Sequence, residues 1–146
     1  VSNSTFSGHV PGLPGDAGIK NVAGTLSFAN TIIADENNAA CSGTITDLGN
    51  NWFQDDSCGR AGDGDPNLGP LTDNTGPTQT QALLPGSGAI DAGNDTICAA
   101  TPVNALDQRA YTRPQGSRCD IGAFELAVHT DTIAVDGINC TLINAI

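Results

Sequence analysis

Hydrophobic residues in the first 60 positions stand in short groups, separated by Gly, Asn, Asp and Ser. Groups of this length between turn-forming residues are typical of short strands and not of long amphipathic helices. The candidates for inward-facing positions are Leu26, Phe28, Ile32, Ile33, Ile45, Leu48, Trp52 and Phe53. The pattern therefore predicts an all-β protein.

Three segments of this region look like variants of one another. They read VSNSTFSGH, SFANTIIAD and TDLGNNWFQ and begin at positions 1, 27 and 46. Superposing their asparagines, with offsets of 27 and 20 residues, also aligns a large apolar residue in each. The aligned sets are Asn3, Asn30 and Asn50, and Phe6, Ile33 and Phe53. Repeats of this length predict coils that stack as a solenoid, with an asparagine ladder at one corner.

The composition narrows the classes of function. Sixteen acidic and five basic residues give a formal net charge of −11, which repels nucleic acid and anionic lipid headgroups. No stretch approaches the roughly 20 apolar residues that cross a bilayer. We therefore expect neither a nucleic-acid partner nor membrane insertion.

Five cysteines in an acidic, glycine-rich chain favour an oxidising compartment. Two pairs, Cys41 with Cys58 and Cys98 with Cys119, would each close one local loop and stabilise it by about 3 kcal/mol. Cys140 is then left over, either free or bonded to a neighbouring chain. The competing interpretation, a zinc site, lacks a Cys-x-x-Cys pair.

Residues 76–125 carry the most specific motifs of the chain. They contain Gly-Pro-Thr, Leu-Leu-Pro-Gly-Ser, Ala-Ile-Asp-Ala-Gly, Asp-Gln-Arg and Asp-Ile-Gly-Ala-Phe-Glu in that order. This segment resembles the C-terminal region of bacterial secreted right-handed parallel β-helix proteins with the pectate-lyase-like fold, of the choice-of-anchor type. The resemblance implies β-helix rungs in residues 1–60, preceded by further rungs in a longer parent chain, and an irregular C-terminal capping region in residues 61–125.

The sequence of the capping region predicts an apolar plug for the end of the core and ion pairs of its arginines. We expect Leu83, Leu84, Ala89 and Ile90 to fill the open end of the core, because a solenoid end exposes unpaired backbone. Residues 60–80 show almost no periodicity and are expected to be an irregular cover. Arg109 and Arg113 are expected to pair with carboxylates such as Asp91 or Asp107.

Residues 126–146 resemble the N-terminal cap of the same class of proteins, with a strand, an Asp-Gly turn and a version of the Cys-Ser-Leu-Arg-Glu-Ala (CSLREA) motif. The matching residues are Cys140, Thr141, Leu142, Ala145 and Ile146, while Ile143 and Asn144 replace the Arg-Glu pair. One explanation is a parent protein of several units. The other is an extra strand that completes the end of the next subunit, which would build an open head-to-tail filament. Its candidate assembly residues are Thr132, Ile133, Val135, Leu142 and Ile146.

The resemblance includes polysaccharide lyases and hydrolases, which need clustered carboxylates. Asp35, Glu36 and Asp47 do not recur at one position of the repeat, and no basic residue accompanies them. His9 and His129 are not accompanied by a nucleophile motif. We therefore expect no catalytic residues and no cofactor other than calcium in this chain.

Two kinds of surface site are candidates. Asp63, Asp65 and Asp73 flank a glycine-rich loop of the kind that Ca²⁺ prefers, although Asp is also common in turns. Asn3, Asn94 and Asn139 begin Asn-x-Ser/Thr sequons and would make the chain a glycoprotein if its source glycosylates asparagine.

The sequence leaves two hypotheses for function. The first is a non-catalytic structural or adhesive β-helix module, secreted to the cell surface or extracellular matrix, that self-associates head to tail as a filament subunit. The alternative is the C-terminal part of a polysaccharide-binding or polysaccharide-cleaving β-helix protein whose active rungs lie upstream.

Overall fold

The structure, a computed structural model, describes residues 1–8, 17–34, 39–127, 129–135 and 138–144. The described chain is mostly sheet, which confirms the all-β prediction. Its strands are β1 (Thr5–Ser7), β2 (Ile19–Lys20), β3 (Leu26–Phe28), β4 (Ile32–Ala34), β5 (Cys41–Ser42), β6 (Ile45–Asp47), β7 (Trp52–Phe53), β8 (Leu68–Thr72), β9 (Thr80–Leu83), β10 (His129–Val135) and β11 (Ile138–Asn144). A 3-10 turn covers Asp56–Cys58, and one short helix, α1, covers Asp95–Ala99.

The strands of the first 53 residues pair in parallel across successive segments. β1, β4 and β7 form a three-stranded sheet in that order, here called the central sheet. Parallel pairs β2–β5 and β3–β6 accompany it. In the central sheet Phe6 lies opposite Ile33, and Ile33 lies opposite Phe53. The register that the repeat predicted is therefore confirmed.

An asparagine in a left-handed turn comes shortly before each strand of the central sheet. Asn3, Asn30 and Asn50 have φ angles of 47°, 48° and 53°, a region that Asn tolerates better than most residues. Asn30 Nδ2 donates to Asn3 Oδ1 at 3.2 Å, so this step of the predicted ladder is present. Asn50 Nδ2 donates instead to the carbonyl of Ala92 at 3.0 Å.

β4 is buried on both faces, because neighbouring residues of a strand point in opposite directions. Ile33 belongs to an inner core with Phe28 and Phe53. Ile32 belongs to an outer core with residues of the C-terminal region, among them Leu83 and Phe124. The central sheet is thus the layer between two hydrophobic cores.

The position of the C-terminal region differs from the predicted plug. Leu83 and Ala89 pack in the outer core, against the face of β4 that carries Ile32, and so cover the side of the central sheet. Leu84 is 38% exposed because it follows Leu83 and points the other way. Leu48, expected to face inward, is 61% exposed and lies in the turn before Asn50.

Residues 60–80, expected to be irregular, contain β8 and the first residue of β9. The two strands pair antiparallel with a register shift between Leu68 and Leu71. The sequence did not reveal these strands, because the Gly-Pro step inside β8 breaks the alternation of apolar and polar residues that identifies a strand.

Both predicted disulfides are present, Cys41–Cys58 and Cys98–Cys119, and they link residues 17 and 21 positions apart. The first joins β5 to the 3-10 turn, and the second joins α1 to the segment before Ile121.

The tail folds as two antiparallel strands rather than one. β10 and β11 pair from His129 opposite Asn144 to Val135 opposite Ile138, with Ile133 opposite Cys140. Of the proposed assembly residues, Thr132, Ile133, Val135 and Leu142 lie in these strands, and Ile146 lies outside the described residues. No helix in the described chain is long and apolar enough to span a membrane.

Candidate functional site

The two ends of the central sheet differ, and the β7 end is closed. The Arg60 guanidinium lies over the Phe53 ring, 4.7 Å from its centroid. The segment after it pairs with β7, since the Asp63 amide donates to the Phe53 carbonyl at 2.6 Å and the Phe53 amide donates to Asp63 Oδ2 at 2.9 Å. Arg60 and Asp63 thus cover both the apolar ring and the backbone of this edge.

Ion pairs hold this closure in place. Arg60 contacts Asp63 at 2.6 Å and Asp47 at 2.8 Å. The hydrogen bond from Arg60 to Asp63 raises the pKa of Arg60. Burial acts to raise the pKa of Asp63, but hydrogen bonds from Arg60 and from the Phe53 backbone outweigh it and lower that pKa. Both groups are therefore charged in the folded protein at neutral pH.

The β1 end is open. Among the described strands β1 pairs only with β4, and Phe6 is 38% exposed although it meets Phe28 edge to face at 6.0 Å. A groove of about 600 Å³ runs between β1 and the loop after α1. It is lined by Ser4, Thr5 and Phe6 on one side and by Pro102, Leu106 and Gln108 on the other.

Two smaller cavities continue this groove along β1. The first, of about 150 Å³, shares Thr5 and Gln108 with the groove and reaches Gln81. The second, of about 350 Å³, has a polar lining that includes Gln81, Gln54, Asn67 and the acidic Asp65. Amide side chains offer donors and acceptors side by side. The lining therefore suits peptide backbone or the hydroxyl groups of a neutral glycan.

A group of buried charges lies in the C-terminal region. Arg113, expected to pair with Asp91 or Asp107, instead lies 3.8 Å from Glu125 Oε2, and both side chains are almost fully buried. The chain brings them together because the turn between them folds back on itself. Glu125 accepts the Gln115 amide at 2.8 Å and the Asp120 amide at 2.9 Å.

Burial changes the acidity of these groups. It raises the pKa of Glu125 to about 7, and it also raises the pKa of Asp120. Burial likewise lowers the pKa of Arg113. Asp120 accepts the amides of Asp91 and Leu126 at 2.8 and 2.6 Å. Each carboxylate oxygen of Asp120 and Glu125 thus accepts a hydrogen bond from a backbone amide. These bonds hold the loops of the C-terminal region in place.

Arg109 forms an ion pair with Asp107 at 2.7 Å, which confirms the predicted pairing. Its guanidinium carbon lies 3.6 Å from the ring centroid of Phe124 and 4.5 Å from that of Tyr111. It also donates to the Glu125 carbonyl at 2.6 Å. Arg109 therefore joins the Asp-Gln-Arg motif to the final Asp-Ile-Gly-Ala-Phe-Glu motif.

The other carboxylates and histidines considered for catalysis do not come together in the described chain. Asp47 pairs with Arg60, whereas Asp35, Glu36 and His9 lie outside the described residues. His129 begins β10.

Each of the three calcium candidates already makes a hydrogen bond or ion pair with a nearby residue. Asp63 binds Arg60, Asp65 Oδ1 accepts the Asn67 amide at 2.7 Å, and Asp73 Oδ1 accepts the Thr75 amide at 3.0 Å. Within the described ranges no group of three acidic, His or Cys side chains is placed to hold a metal. Calcium binding stays a prediction.

The three sequons lie in different environments. Asn3 Nδ2, the atom that a glycan would modify, is buried. Asn94 caps α1, its side chain accepting the Thr96 amide at 3.0 Å. Asn139 lies in β11. Modification of Asn3 would therefore have to precede folding.

Sequence reasoning missed three residues that matter here, Arg60, Asp120 and Glu125. Arg60 offered a signal, since it is one of five basic residues and follows the last rung directly. Asp120 and Glu125 offered none, because their burial depends on how the C-terminal region folds back on itself.

Comparisons of this chain with protein-family models, with curated proteins and with solved structures found no match.

Proposed function

We propose that this chain is a structural module of an extracellular assembly, formed by the end of a right-handed parallel β-helix that self-associates head to tail. The observation that carries the proposal is the difference between the two ends of the central sheet. One end is covered by Arg60 and Asp63, while the other leaves Phe6 partly exposed beside a groove.

The parallel pairing supports the β-helix. Three sets of short parallel strands, separated by turns, repeat the same order in successive segments. Stacked coils bury their inward residues only against neighbouring coils, so an uncovered coil leaves apolar surface exposed. Phe6 of β1 is 38% exposed and is therefore available for contact with a further coil.

The disulfides and the charge support an extracellular location. Two disulfides persist in oxidising compartments and are rare in reducing ones. A net charge of −11 favours solubility. Because like charge opposes association, salt at 0.15–0.5 M should strengthen self-association of the chain.

Light scattering over a wide concentration range, combined with electron microscopy, tests the proposal. We expect the mass to grow with concentration and the particles to become elongated. A chain with Phe6→Asp is the matched variant, because it places a charge at the open end and leaves the Arg60 end unchanged. Mass that stays at that of one chain, for both variants and at every concentration, would contradict the proposal.

A second candidate function, binding of a neutral glycan, is favoured by the amide-lined cavity of about 350 Å³. Gln54, Asn67, Gln81 and Asp65 line it, and amide and carboxylate groups are partners that sugar hydroxyls use. A sugar would take over bonds that Gln81 now makes with Ser7 and with the Gly69 carbonyl. A glycan array read with Gln81→Ala beside the unchanged chain tests it. Binding of uncharged oligosaccharides that Gln81→Ala abolishes would support this function. No binding to any glycan on the array would contradict it.

A further inference from the structure

We infer that the cavity of about 350 Å³, here called the Asp65 cavity, binds a sugar that carries a protonated amine, with Asp65 as the residue that selects the charge. The inference rests on the second candidate function, the binding of a glycan, and replaces the uncharged sugar by an amino sugar. It depends on which hydrogen-bonding groups of the cavity are already used and which are free.

The Asp65 cavity lies over the outer face of the central sheet. Ser7, at the end of β1, lies opposite Ala34, which ends β4 and belongs to the outer core. Gln54 follows β7, and its backbone amide donates to the Ile33 carbonyl at 3.0 Å. The opposite wall comes from β8, β9 and residues 65–67 before them. The cavity is therefore built between the face of the sheet and the C-terminal region.

The size and charge of the cavity limit the ligands that fit. Its volume is at the low end of the range of small-molecule sites, about 300–1,000 Å³, so it suits one small unit of a glycan. Among the described residues of the lining, Asp65 is the only acidic one and none is basic. Together with the net charge of −11, this lining repels uronic acids and sulfated sugars and attracts cations.

Ser7, Asn67 and Gln81 use their side-chain donors within the protein. The Ser7 hydroxyl donates to Gln81 Oε1, and Gln81 Nε2 donates to the Gly69 carbonyl at 3.3 Å. Asn67 Nδ2 donates to the Pro85 carbonyl at 3.0 Å, which leaves the oxygen as the free group of that amide. A ligand that needs donors from these side chains would have to break existing bonds.

Acceptors of the same lining remain free. Asp65 Oδ1 accepts the Asn67 amide at 2.7 Å, whereas no described residue donates to Asp65 Oδ2. Gln54 Oε1 is buried and has no hydrogen-bond partner in the described chain. A buried acceptor without a donor costs free energy that a ligand donor would recover. The lining therefore favours a ligand that brings donors.

A protonated primary amine matches this requirement. It carries three donors and no acceptor, so it can bond to free oxygens without displacing the bonds of Gln81. Hydrogen bonds between charged groups are also stronger than those between neutral groups. An amine beside Asp65 therefore gains more than a hydroxyl in the same place.

A sugar fits the cavity better than a lysine side chain or calcium. Hydroxyl groups next to the amine can donate to amide oxygens such as those of Gln54 and Asn67, whereas the methylene groups of lysine cannot. The affinity of a site for Ca²⁺ depends on the number of carboxylate ligands, and one Asp favours the amine instead.

The residues around Asp65 are held in place before a ligand binds. The Gly64 amide donates to the Gln54 carbonyl at 3.2 Å, on one side of Asp65. On the other side, the Ser87 hydroxyl donates to the Pro66 carbonyl at 2.6 Å. Because these bonds already order the loop, binding has little conformational entropy to oppose it.

Isothermal titration calorimetry with β1,4-linked tetramers of glucosamine, N-acetylglucosamine and glucose tests the choice of sugar. The pH is kept low enough to protonate the amines, and acetylation removes their charge. We expect the glucosamine tetramer to bind about fivefold to tenfold more tightly than either of the others. A tetralysine peptide, which has side-chain amines but no sugar ring, should bind more weakly. Equal affinity for all the tetramers, or tetralysine bound as tightly as the glucosamine tetramer, would overturn the inference.

Asp65→Asn tests the selecting residue, and Asp73→Asn is the matched control. In both positions Oδ1 accepts the amide two residues later, at 2.7 and 3.0 Å, and Asn keeps that oxygen. Both variants lose the same charge, but Asp65 lines the cavity and Asp73 does not. We expect Asp65→Asn to abolish the preference for the glucosamine tetramer and Asp73→Asn to change it by less than about twofold. Equal losses would overturn the inference, because they indicate attraction to the net charge alone.

The same titrations keep the two proposals apart. If the glucose tetramer binds as tightly as the glucosamine tetramer and Gln81→Ala abolishes both, the inferred amine is wrong and glycan binding stands. If none of the tetramers binds, both are wrong. Urea unfolding confirms that each variant folds.

Discussion

The two faces of β4 are stabilised in different ways. On the inner face Ile33 packs with Phe28 and Phe53, and the nearby polar group is the partly exposed ion pair of Arg60 with Asp63. On the outer face Ile32 packs against a region that also buries Arg113, Asp120 and Glu125. The inner face therefore depends on apolar packing, whereas the outer face depends on a buried ionic group as well. pH should therefore change the stability of the outer face more than that of the inner face.

The largest expected effect is loss of the inner core. Phe53→Ala removes a fully buried ring and should lower the free energy of unfolding by about 3–5 kcal/mol. Phe6→Ala, at the aligned position of the open end, should cost about half as much or less, because Phe6 is already partly in water. Urea unfolding measures both. Equal losses of unfolding free energy in the two variants would contradict the difference between the two ends of the central sheet.

Breaking the ion pair beneath the outer face should come next. Arg113→Ala leaves the Glu125 carboxylate buried without its cation and should cost about 3 kcal/mol. Arg118→Ala, at an exposed arginine of the same turn, should change the free energy of unfolding by less than about 0.5 kcal/mol. A loss at Arg113 no larger than that at Arg118 would show that the outer face needs no charge pair.

pH should distinguish the faces directly. The pKa of Glu125 is about 7 in the folded chain, above the ordinary value of 4.5. The folded state therefore holds a proton that the unfolded state has lost between these values, so unfolding free energy should fall as pH rises from about 4.5 to about 7. The decrease should be on the order of 3 kcal/mol at most. Asp120, whose pKa burial also raises, contributes in the same direction.

Glu125→Gln tests the origin of this pH dependence, since it keeps the size of the side chain and removes the titration. The slope of unfolding free energy against pH should flatten between pH 4.5 and 7. At lower pH a loss of stability should persist, because the lowered pKa of Asp63 makes its stabilising charge disappear on acidification. An unchanged slope in Glu125→Gln would assign the pH dependence to other groups.

The smallest effect is expected at the closed end. Arg60→Ala removes ion pairs whose side chains are about one-third exposed and uncovers one side of the Phe53 ring. We expect a loss of about 1 kcal/mol, which 0.5 M salt should reduce. The variant should also associate in new ways if the uncovered ring behaves like Phe6. Sedimentation at several concentrations measures that change.

Sequence predicted the inner face well and the outer face poorly, for a physical reason. Asn30, Ile33 and Phe53 are specified locally, by a turn conformation and by stacking on the neighbouring coil, so their spacing is visible along the chain. Ile32 is buried by residues about 50 to 90 positions away, and no local pattern encodes that contact. The pairing of Arg113 with Glu125 was missed because it depends on how the turn between them folds, which no periodic pattern encodes.

The candidate site was predictable in part. The tail was identified as a strand segment, but its division into β10 and β11 was not, although the Asp-Gly step between them is a common hairpin signal. The groove beside β1 could not be predicted, because it forms where the loop before Gln108 approaches a strand that lies about 100 residues earlier.

Hydrogen exchange of the backbone amides, measured at low and high protein concentration, tests most directly whether the two ends of the central sheet differ. The Trp52 amide of β7 donates to the Thr31 carbonyl and the Phe53 amide donates to Asp63, so we predict that both are protected equally at both concentrations. The β1 amides that face away from β4 should exchange fast in dilute solution and become protected as concentration rises. β1 amides whose exchange is independent of concentration would contradict the account.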